Sequence, residues 1–191
     1  MWPSTKSLPK RSILLAVVTL VAAAITFAQS SGIWIDVPFV KQSPEGCGAA
    51  SLAMVMQYWE AHGSPSHGDA SDAANIFQVL HTPKSHGIYA SAMERYLREH
   101  GFRTFALRAE WNDLEELLQK GRPLIVGLKP AGSSKALHYV VVAGIDPAAG
   151  LVMFNDPAGR KLTKLDRKSF EREWAATHNW TLLALPREIE P

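Results

Sequence analysis

Apolar residues recur at helical spacing directly after a short turn-forming segment. Ser43-Pro44-Glu45-Gly46 is typical of a turn that starts a helix. The segment 47–62 then carries apolar side chains at i, i+3, i+4 and i+7, which are Leu52, Val55, Met56 and Trp59. This helix is apolar on most sides, so we expect it to lie in the middle of a domain.

The remaining pattern changes from helical periods to strand-like runs. Helices are predicted over residues 69–80, 89–100, 111–120 and 166–174, and strands over residues 33–40, 102–107, 124–128, 137–145, 151–155 and 180–185. Because helices come first and most strands later, the order predicts an α+β fold in which a helical lobe packs against a sheet lobe. A cleft between two such lobes is a natural place for an active site.

The N-terminus has the pattern of an export signal. Lys6, Lys10 and Arg11 precede an apolar run over residues 13–28 that is short for a membrane span, which needs about 20 residues. We expect residues 1–30 to be a secretory signal peptide cleaved near Ala28, or alternatively an N-terminal membrane anchor. The domain over residues 33–191 is predicted to be exported in both cases, to the periplasm or the extracellular space.

The charge of the chain comes mainly from this segment. The whole chain has a formal net charge of +2, and residues 1–28 contain three basic and no acidic residues, which leaves −1 for the remainder. No basic run is interleaved with aromatic residues, so no nucleic-acid partner is predicted. No cofactor is predicted either.

Cys47 is the only cysteine of the chain and lies at the start of the first predicted helix. A single cysteine cannot form an internal disulfide, so it is either a small buried residue or a reactive thiol. The start of a helix favours a thiolate, because its free N–H groups and dipole stabilise an anion. Position, export and the flanking glycines together favour a nucleophile.

Two polar residues precede the cysteine. Gln42 lies on the chain segment that leads to Cys47, and its side-chain amide could donate to a developing oxyanion together with the Cys47 backbone N–H. Alternatively, a loop glutamine is simply solvated. Glu45 carries a negative charge that opposes the thiolate, so we expect a nearby imidazole to be needed as well.

Seven histidines are candidates for that imidazole. The pairs His62/His67 and His81/His86 have no regular metal-ligand spacing, so no metal site is predicted. His138 differs because it begins a valine-rich central strand, where a polar group needs a partner. A satisfied core histidine is the alternative interpretation.

Strand register connects His138 to a carboxylate. A hairpin centred near residue 147 or 148 places Asp156 opposite or diagonal to His138 on the same face, with Cβ atoms about 5–8 Å apart. Asn155 then points to the other face. Asp156 also lies in a segment rich in turn formers, so a turn role is compatible with this one.

These segments resemble the double-glycine leader peptidases that process bacteriocin precursors, a family of papain-like cysteine peptidases. The resemblance rests on the cysteine segment Gly46-Cys47-Gly48-Ala49-Ala50-Ser51-Leu52, the histidine segment Leu137-His138-Tyr139-Val140-Val141 and the aspartate segment Phe154-Asn155-Asp156-Pro157. It implies a papain-like fold with Cys47 as nucleophile, His138 as base, Asp156 as the residue that orients it and Gln42 in the oxyanion hole.

The sequence therefore predicts an exported cysteine peptidase that cleaves peptide bonds in a peptide or protein substrate. Acyl transfer to an amine through the same thioester is one alternative. A non-catalytic peptide-binding module with the same fold is another.

Overall fold

The computed structural model describes residues 32–130 and 137–187, so the segment over residues 1–30 lies outside it. No helix in the described ranges is long and apolar enough to cross a membrane. The elements found there, in chain order, are β1 (Ile33–Trp34), α1 (Cys47–Ala61), α2 (Ala73–Leu80), α3 (Ala90–Glu99), β2 (Phe102–Arg108), α4 (Trp111–Gln119), β3 (Leu124–Leu128), β4 (His138–Asp146), β5 (Leu151–Asn155), β6 (Thr163–Asp166), α5 (Arg167–Ala175) and β7 (Trp180–Pro186).

The strands form one antiparallel sheet in the order β2-β7-β3-β4-β5-β6, and β1 pairs with the end of β4. Strand β4 is central because it pairs with β3, β5 and β1. Its residues 139–145 are all buried. This explains the continuous apolar run, since a strand covered on both faces has no solvent-facing positions.

Helices cover both faces of the sheet. On one face α1, α2 and α3 pack against alternate residues of β4, namely Tyr139, Val141 and Ala143. On the other face α4 and α5 bury Trp111, Leu114, Phe170 and Trp174 against Val140 and Val142. The α+β class is confirmed, and the helices predicted over residues 111–120 and 166–174 form the second layer.

The strand predicted over residues 33–40 is much shorter in the structure. Only Ile33 and Trp34 form ladder pairs, with Ile145 and Gly144 of β4. The following residues run without regular structure beside the sheet and are held by side chains, because the buried amide Nδ2 of Asn155 donates to the carbonyls of Val37 (3.1 Å) and Pro38 (3.2 Å).

The helix predicted over residues 69–80 is interrupted. Residues Gly68–Ser71 form a 3₁₀ turn, and α2 begins only after Asp72. The carboxylate of Asp72 accepts hydrogen bonds from the N–H groups of Ala74 (2.9 Å) and Asn75 (3.1 Å). An aspartate cap satisfies the free donors of a helix start, so it begins a new helix at this point.

Strand β6 was not predicted from the sequence. Its four residues Thr163–Asp166 alternate between half-buried and exposed positions at the sheet edge. A polar edge strand of this length carries too few apolar positions to give a period-2 signal.

The β4–β5 hairpin has the predicted register with one irregularity. Asp146 pairs with Leu151 and Val141 pairs with Asn155, and a bulge lies between Val142 and Gly144. A Cβ atom at Gly144 would lie 2.7 Å from the Ile33 carbonyl oxygen and 2.8 Å from the Met153 side chain. Glycine is therefore required where β1 approaches the bulge.

Candidate active site

The loop before α1 is shaped so that Cys47 becomes the first residue of the helix. The N–H of Gly46 donates to the Ser43 carbonyl at 2.9 Å, which closes a tight turn. A Cβ atom at Gly46 would lie 2.7 Å from the Ser43 hydroxyl, so only glycine fits. Cys47 follows with a free, half-buried thiol at the positive end of the helix dipole.

The residue after the cysteine lets this helix end approach the sheet closely. A Cβ atom at Gly48 would lie 3.2 Å from Ile88 Cβ and 3.5 Å from the Tyr139 ring. Tyr139 is the second residue of β4, directly after His138. The small side of α1 therefore brings Cys47 next to the start of β4.

Cys47, His138 and Asp156 form a continuous chain of hydrogen bonds. The His138 ring nitrogen Nε2 lies 2.8 Å from Asp156 Oδ1. The Cys47 thiol and the His138 side chain are also hydrogen-bonded to each other. Because Nε2 is engaged by the carboxylate, Nδ1 is the nitrogen left for the contact with the thiol. The structure thus brings together three of the four predicted site residues.

Asp156 is held in place by the turn that follows it. Asp156 follows the last ladder residue of β5, and its Oδ1 accepts a hydrogen bond from the Ala158 N–H at 2.9 Å. The imidazole of His138 and the N–H groups of Ala158 and Gly159 together lower the pKa of Asp156. The predicted turn role and the predicted partner role therefore coexist.

The environment favours an ion pair between the thiol and the imidazole. Burial alone would raise the pKa of Cys47, but hydrogen bonds from His138 and from the N–H groups of Tyr139 and Gly48 outweigh it, so the pKa is lowered. Burial alone would lower the pKa of His138, yet the Asp156 carboxylate and Cys47 raise it to about 9. Both shifts favour the thiolate–imidazolium form of the pair.

Gln42 is placed beside the aspartate loop. Its backbone N–H donates to the Pro157 carbonyl at 3.0 Å, which fixes the segment before Cys47 against the residue after Asp156. Its side-chain oxygen Oε1 is buried and has no hydrogen-bond partner among the residues described. Its assignment to the oxyanion hole stays a prediction.

Asn155, which the predicted register places on the opposite sheet face from His138, connects three segments around the site. It is completely buried, and besides the two bonds to residues 37 and 38 its Oδ1 accepts from the Leu162 N–H at 3.0 Å. It therefore joins the segment before Gln42, the end of β5 and the loop before β6. In the sequence, the available signal was an asparagine at the end of an apolar strand, because a polar side chain that becomes buried there needs hydrogen-bond partners.

Glu45 and two of the other histidines form a second cluster beside the cysteine loop. Glu45 Oε2 lies 2.9 Å from His81 Nε2, and Oε1 lies 3.1 Å from His86 Nδ1. These imidazoles, with the hydrogen bond to His81 contributing most, lower the pKa of Glu45. The charge that was expected to oppose the thiolate is thus shared with two imidazoles. Within residues 32–130 and 137–187, no three His, Cys, Asp or Glu side chains are placed to hold a metal ion.

A cavity of about 350 Å³ opens directly at Cys47. Its walls come from three parts of the chain, the start of α1, the segment before α3 and the start of β4, and they include Cys47, Ile88, Tyr89, Ala90, Leu137 and Tyr139. Burial, the Cys47 thiolate and Glu94 raise the pKa of Tyr139, so its hydroxyl stays protonated. The site therefore has room for a ligand next to the thiol.

Comparison with known proteins places this geometry in a family. The model described as Peptidase_C39 like family matches residues 34–182, which include Cys47, His138 and Asp156. The transport/processing ATP-binding protein ComA of Streptococcus pneumoniae is 35% identical over 128 residues, which are 67% of this chain and 16% of that protein. The match thus spans about a sixth of the length of that relative.

Solved structures agree on the fold. The peptidase domain of Streptococcus ComA superposes with a TM-score of 0.60 at 23% identity, covering 79% of this chain and 99% of that one. A C39-like peptidase from Bacillus anthracis gives 0.61 at 18% identity, covering 83% and 99%. A double glycine motif protease from an AMS/PCAT transporter, solved with its leader peptide, superposes with a TM-score of 0.58 at 23% identity. That match covers 80% of this chain and 94% of the other.

The resemblance to double-glycine leader peptidases and the papain-like fold, both predicted from the sequence, are confirmed by these matches. The chain belongs to the Peptidase_C39 like family, a family of the cysteine peptidase kind.

Proposed function

We propose that this protein is a peptidase that cleaves peptide bonds through Cys47, His138 and Asp156. The single observation that supports this most is the hydrogen-bonded chain of thiol, imidazole and carboxylate, in which the pKa of the thiol is lowered and that of the imidazole is raised to about 9. A peptide substrate agrees with the solved relative that holds a leader peptide.

In the first half of the reaction, the Cys47 thiolate attacks the carbonyl carbon of the scissile bond. The negative charge that develops on the carbonyl oxygen is stabilised by the Cys47 backbone N–H and the side-chain amide of Gln42. The His138 imidazolium then gives its proton to the departing amine, the C–N bond breaks, and a thioester and a free amine result.

In the second half, neutral His138 removes a proton from water, and the hydroxide attacks the thioester carbon. The C–S bond breaks, the carboxylic product leaves, and the proton on His138 restores the starting ion pair with the thiolate. Asp156 keeps the ring oriented and stabilises its charged form throughout, as its 2.8 Å contact with Nε2 allows.

The reactivity of the thiol tests the assignment without a known substrate. Iodoacetamide labelling across pH should give a midpoint well below the free-thiol value of about 8.5. In His138→Asn the midpoint should rise towards that value, whereas the matched variant His178→Asn, in a loop that favours asparagine because its φ is +55°, should behave like the wild type. An ordinary midpoint in the wild type would favour a binding module.

Cleavage itself is tested with a diverse peptide library and mass spectrometry. The wild type should produce new amine and carboxylate termini, and Cys47→Ala should produce none. Adding a primary amine separates the two uses of the thioester, because an acyltransferase would give amide products in place of acids. Persistent cleavage by Cys47→Ala would overturn the site assignment.

We also propose that the domain formed by residues 33–191 acts outside the cytoplasm. Support comes from the basic start and the apolar run over residues 13–28. Fractionation of cells that express the full chain, followed by N-terminal mass analysis, tests this. A cleaved signal gives a new N-terminus near residue 29, a retained anchor gives the full chain in the membrane fraction, and recovery of the full chain in the cytoplasm would refute export.

A further inference from the structure

The cavity at Cys47 is large for a site that would accept only backbone. Its volume is about 350 Å³, at the lower end of the range of about 300–1,000 Å³ for ligand pockets. At about 30 Å³ for each water molecule, it would hold on the order of ten waters. The two glycines of a double-glycine motif have no side chains that could fill such a space.

The walls of the cavity are predominantly apolar. Ile88, Ala90 and Leu137 contribute aliphatic surface, and Tyr139 contributes its ring, which packs edge-on against Trp180 at 5.3 Å between ring centroids. The one histidine on the lining, His86, has an exposed side chain that is bonded to Glu45. A surface of this kind favours an aliphatic or aromatic side chain over a charged one.

We propose that this cavity is a specificity site that takes an apolar side chain of the peptide within two residues of the scissile bond. The inference rests on the proposed function, because Cys47 itself forms part of the wall and so fixes the distance to the bond that is cut. It gives the substrate class as peptides with leucine, isoleucine, methionine or phenylalanine beside the cut.

Cleavage-site profiling of the full chain on a diverse peptide library tests this. Apolar residues should exceed glycine by about 10- to 200-fold at one of the four positions that flank the cut, as expected for an apolar pocket. Ala90→Leu should remove most of that preference by filling the cavity. The matched control Ser91→Leu, at the exposed next position outside the lining, should keep it.

The outcomes separate this inference from the proposed function. Cleavage with no apolar preference at any of the four positions, or a preference that Ala90→Leu leaves intact, would overturn the specificity site while the peptidase stands. A wild type that cleaves nothing and also shows an ordinary thiol in iodoacetamide labelling would overturn both. Ala90→Leu should unfold near the wild-type temperature in a thermal unfolding measurement, which shows that a lost apolar preference is not caused by a folding defect.

A second, independent observation concerns the Glu45 clamp, which we define as Glu45, His81 and His86. Glu45 and His86 both have left-handed backbone conformations, with φ of +61° and +49°. Such conformations are unfavourable for residues other than glycine and persist where surrounding contacts hold them. Both carboxylate oxygens of Glu45 are used, one for each imidazole.

The clamp joins the cysteine loop to the cavity wall. Glu45 lies two residues before Cys47, and His86 begins the segment 86–90 that lines one side of the cavity. His81 is itself fixed, because its ring stacks on Phe77 at 4.4 Å. We infer that Glu45 is a positioning residue for substrate binding, which keeps this wall at a constant distance from the thiol.

The split between KM and kcat tests the role. Glu45→Asn keeps a residue that tolerates the left-handed conformation but is too short to reach both imidazoles. We expect KM for a library-derived peptide to rise about 3- to 10-fold, with kcat within twofold and the iodoacetamide rate unchanged. Glu60→Asn removes another glutamate–histidine contact, to His67, away from the cavity and should leave KM unchanged.

A double-mutant comparison adds a second readout. His86→Asn should raise KM by no more than Glu45→Asn does, because it removes one of the two Glu45 contacts. The double variant should be no worse than Glu45→Asn alone, which has already lost the contact with His86. Unchanged KM in Glu45→Asn, or strictly additive effects in the double variant, would overturn the positioning role.

Discussion

Two clusters near α1 join a carboxylate to an imidazole at nearly the same distance. In the Cys47–His138–Asp156 chain, His138 and Asp156 are 2.8 Å apart, and in the Glu45 clamp the distances are 2.9 and 3.1 Å. Their surroundings differ. The His138 and Asp156 side chains are 25% and 26% exposed, whereas Glu45 and His86 of the clamp are 41% and 77% exposed. His81, at 20%, is the one clamp side chain that is shielded to a similar degree.

The difference in exposure corresponds to the two roles proposed above, catalysis for the Cys47–His138–Asp156 chain and loop placement for the Glu45 clamp. In the Cys47–His138–Asp156 chain a third group, the thiol, shares a partly desolvated site, so each group shifts the pKa of its neighbour. In the clamp, solvent reaches Glu45 and His86, and exposed polar contacts of this kind contribute little to stability. We therefore propose that nearly the same distance serves catalysis in one place and loop placement in the other.

The largest effect is expected when the thiol of the Cys47–His138–Asp156 chain is removed. Replacement Cys47→Ala should reduce peptide cleavage by about 10⁴- to 10⁶-fold, because no other group can form the thioester. Cleavage rates by mass spectrometry measure this, and circular dichroism should show the fold unchanged. Residual activity above about 1% would mean that the nucleophile lies elsewhere.

Removal of the negative charge from the same chain should have the next largest effect. Asp156→Asn keeps the shape but no longer stabilises the imidazolium, and we expect kcat to fall by about 10²- to 10⁴-fold. In the wild type, activity should decline above pH 9, where His138 loses its proton, since its pKa is raised to about 9. In Asp156→Asn this alkaline limb should move to lower pH.

The acid side of that profile sharpens the assignment further. Because the pKa of Asp156 is lowered, its carboxylate stays charged to more acidic pH than an ordinary aspartate does, and the loss of activity on the acid side should follow protonation of the Cys47 thiolate. The acid limbs of iodoacetamide labelling and peptide cleavage should therefore coincide. Limbs separated by more than about one pH unit would contradict this.

The stability of the fold should depend on Asn155, which connects the segments around the Cys47–His138–Asp156 chain. Asn155→Ala removes three hydrogen bonds made by a fully buried side chain, which should lower the free energy of unfolding by about 1–3 kcal/mol. Urea denaturation measures the change. The exposed Asn112→Ala on α4 is the matched control and should stay within about 0.5 kcal/mol.

The smallest effect is expected at the clamp. Glu45→Gln removes an exposed charge near the thiol, and the midpoint of Cys47 labelling should stay within about 0.3 pH unit, because solvent and two imidazoles already screen that charge. A clear downward shift of the midpoint would mean that Glu45 opposes the thiolate, as its sequence position alone suggested.

Much of this arrangement follows from local sequence. The spacing of Leu52, Val55 and Met56 fixed the helix that carries Cys47, and the hairpin turn after Asp146 gave the register that brings Asp156 to His138. Both rest on short-range regularities, a helical period and an alternating ladder.

What the sequence left open depends on contacts between distant segments. The Glu45 clamp joins residues about 40 positions apart, and Asn155 bonds carbonyls 117 and 118 positions away. No periodic pattern records such pairings. The same holds for the strand predicted over residues 33–40, where side-chain tethers replace a ladder that local alternation would suggest.

The bulge at Gly144 has a practical consequence for tethering this protein. Trp34 enters the sheet opposite Gly144, six residues along β4 from His138, which at about 3.3 Å per residue is roughly 20 Å from the imidazole. A linker or immobilisation tag joined ahead of Ile33 would therefore be attached at the far end of the central strand, and the mouth of the thiol cavity would remain open to long peptides.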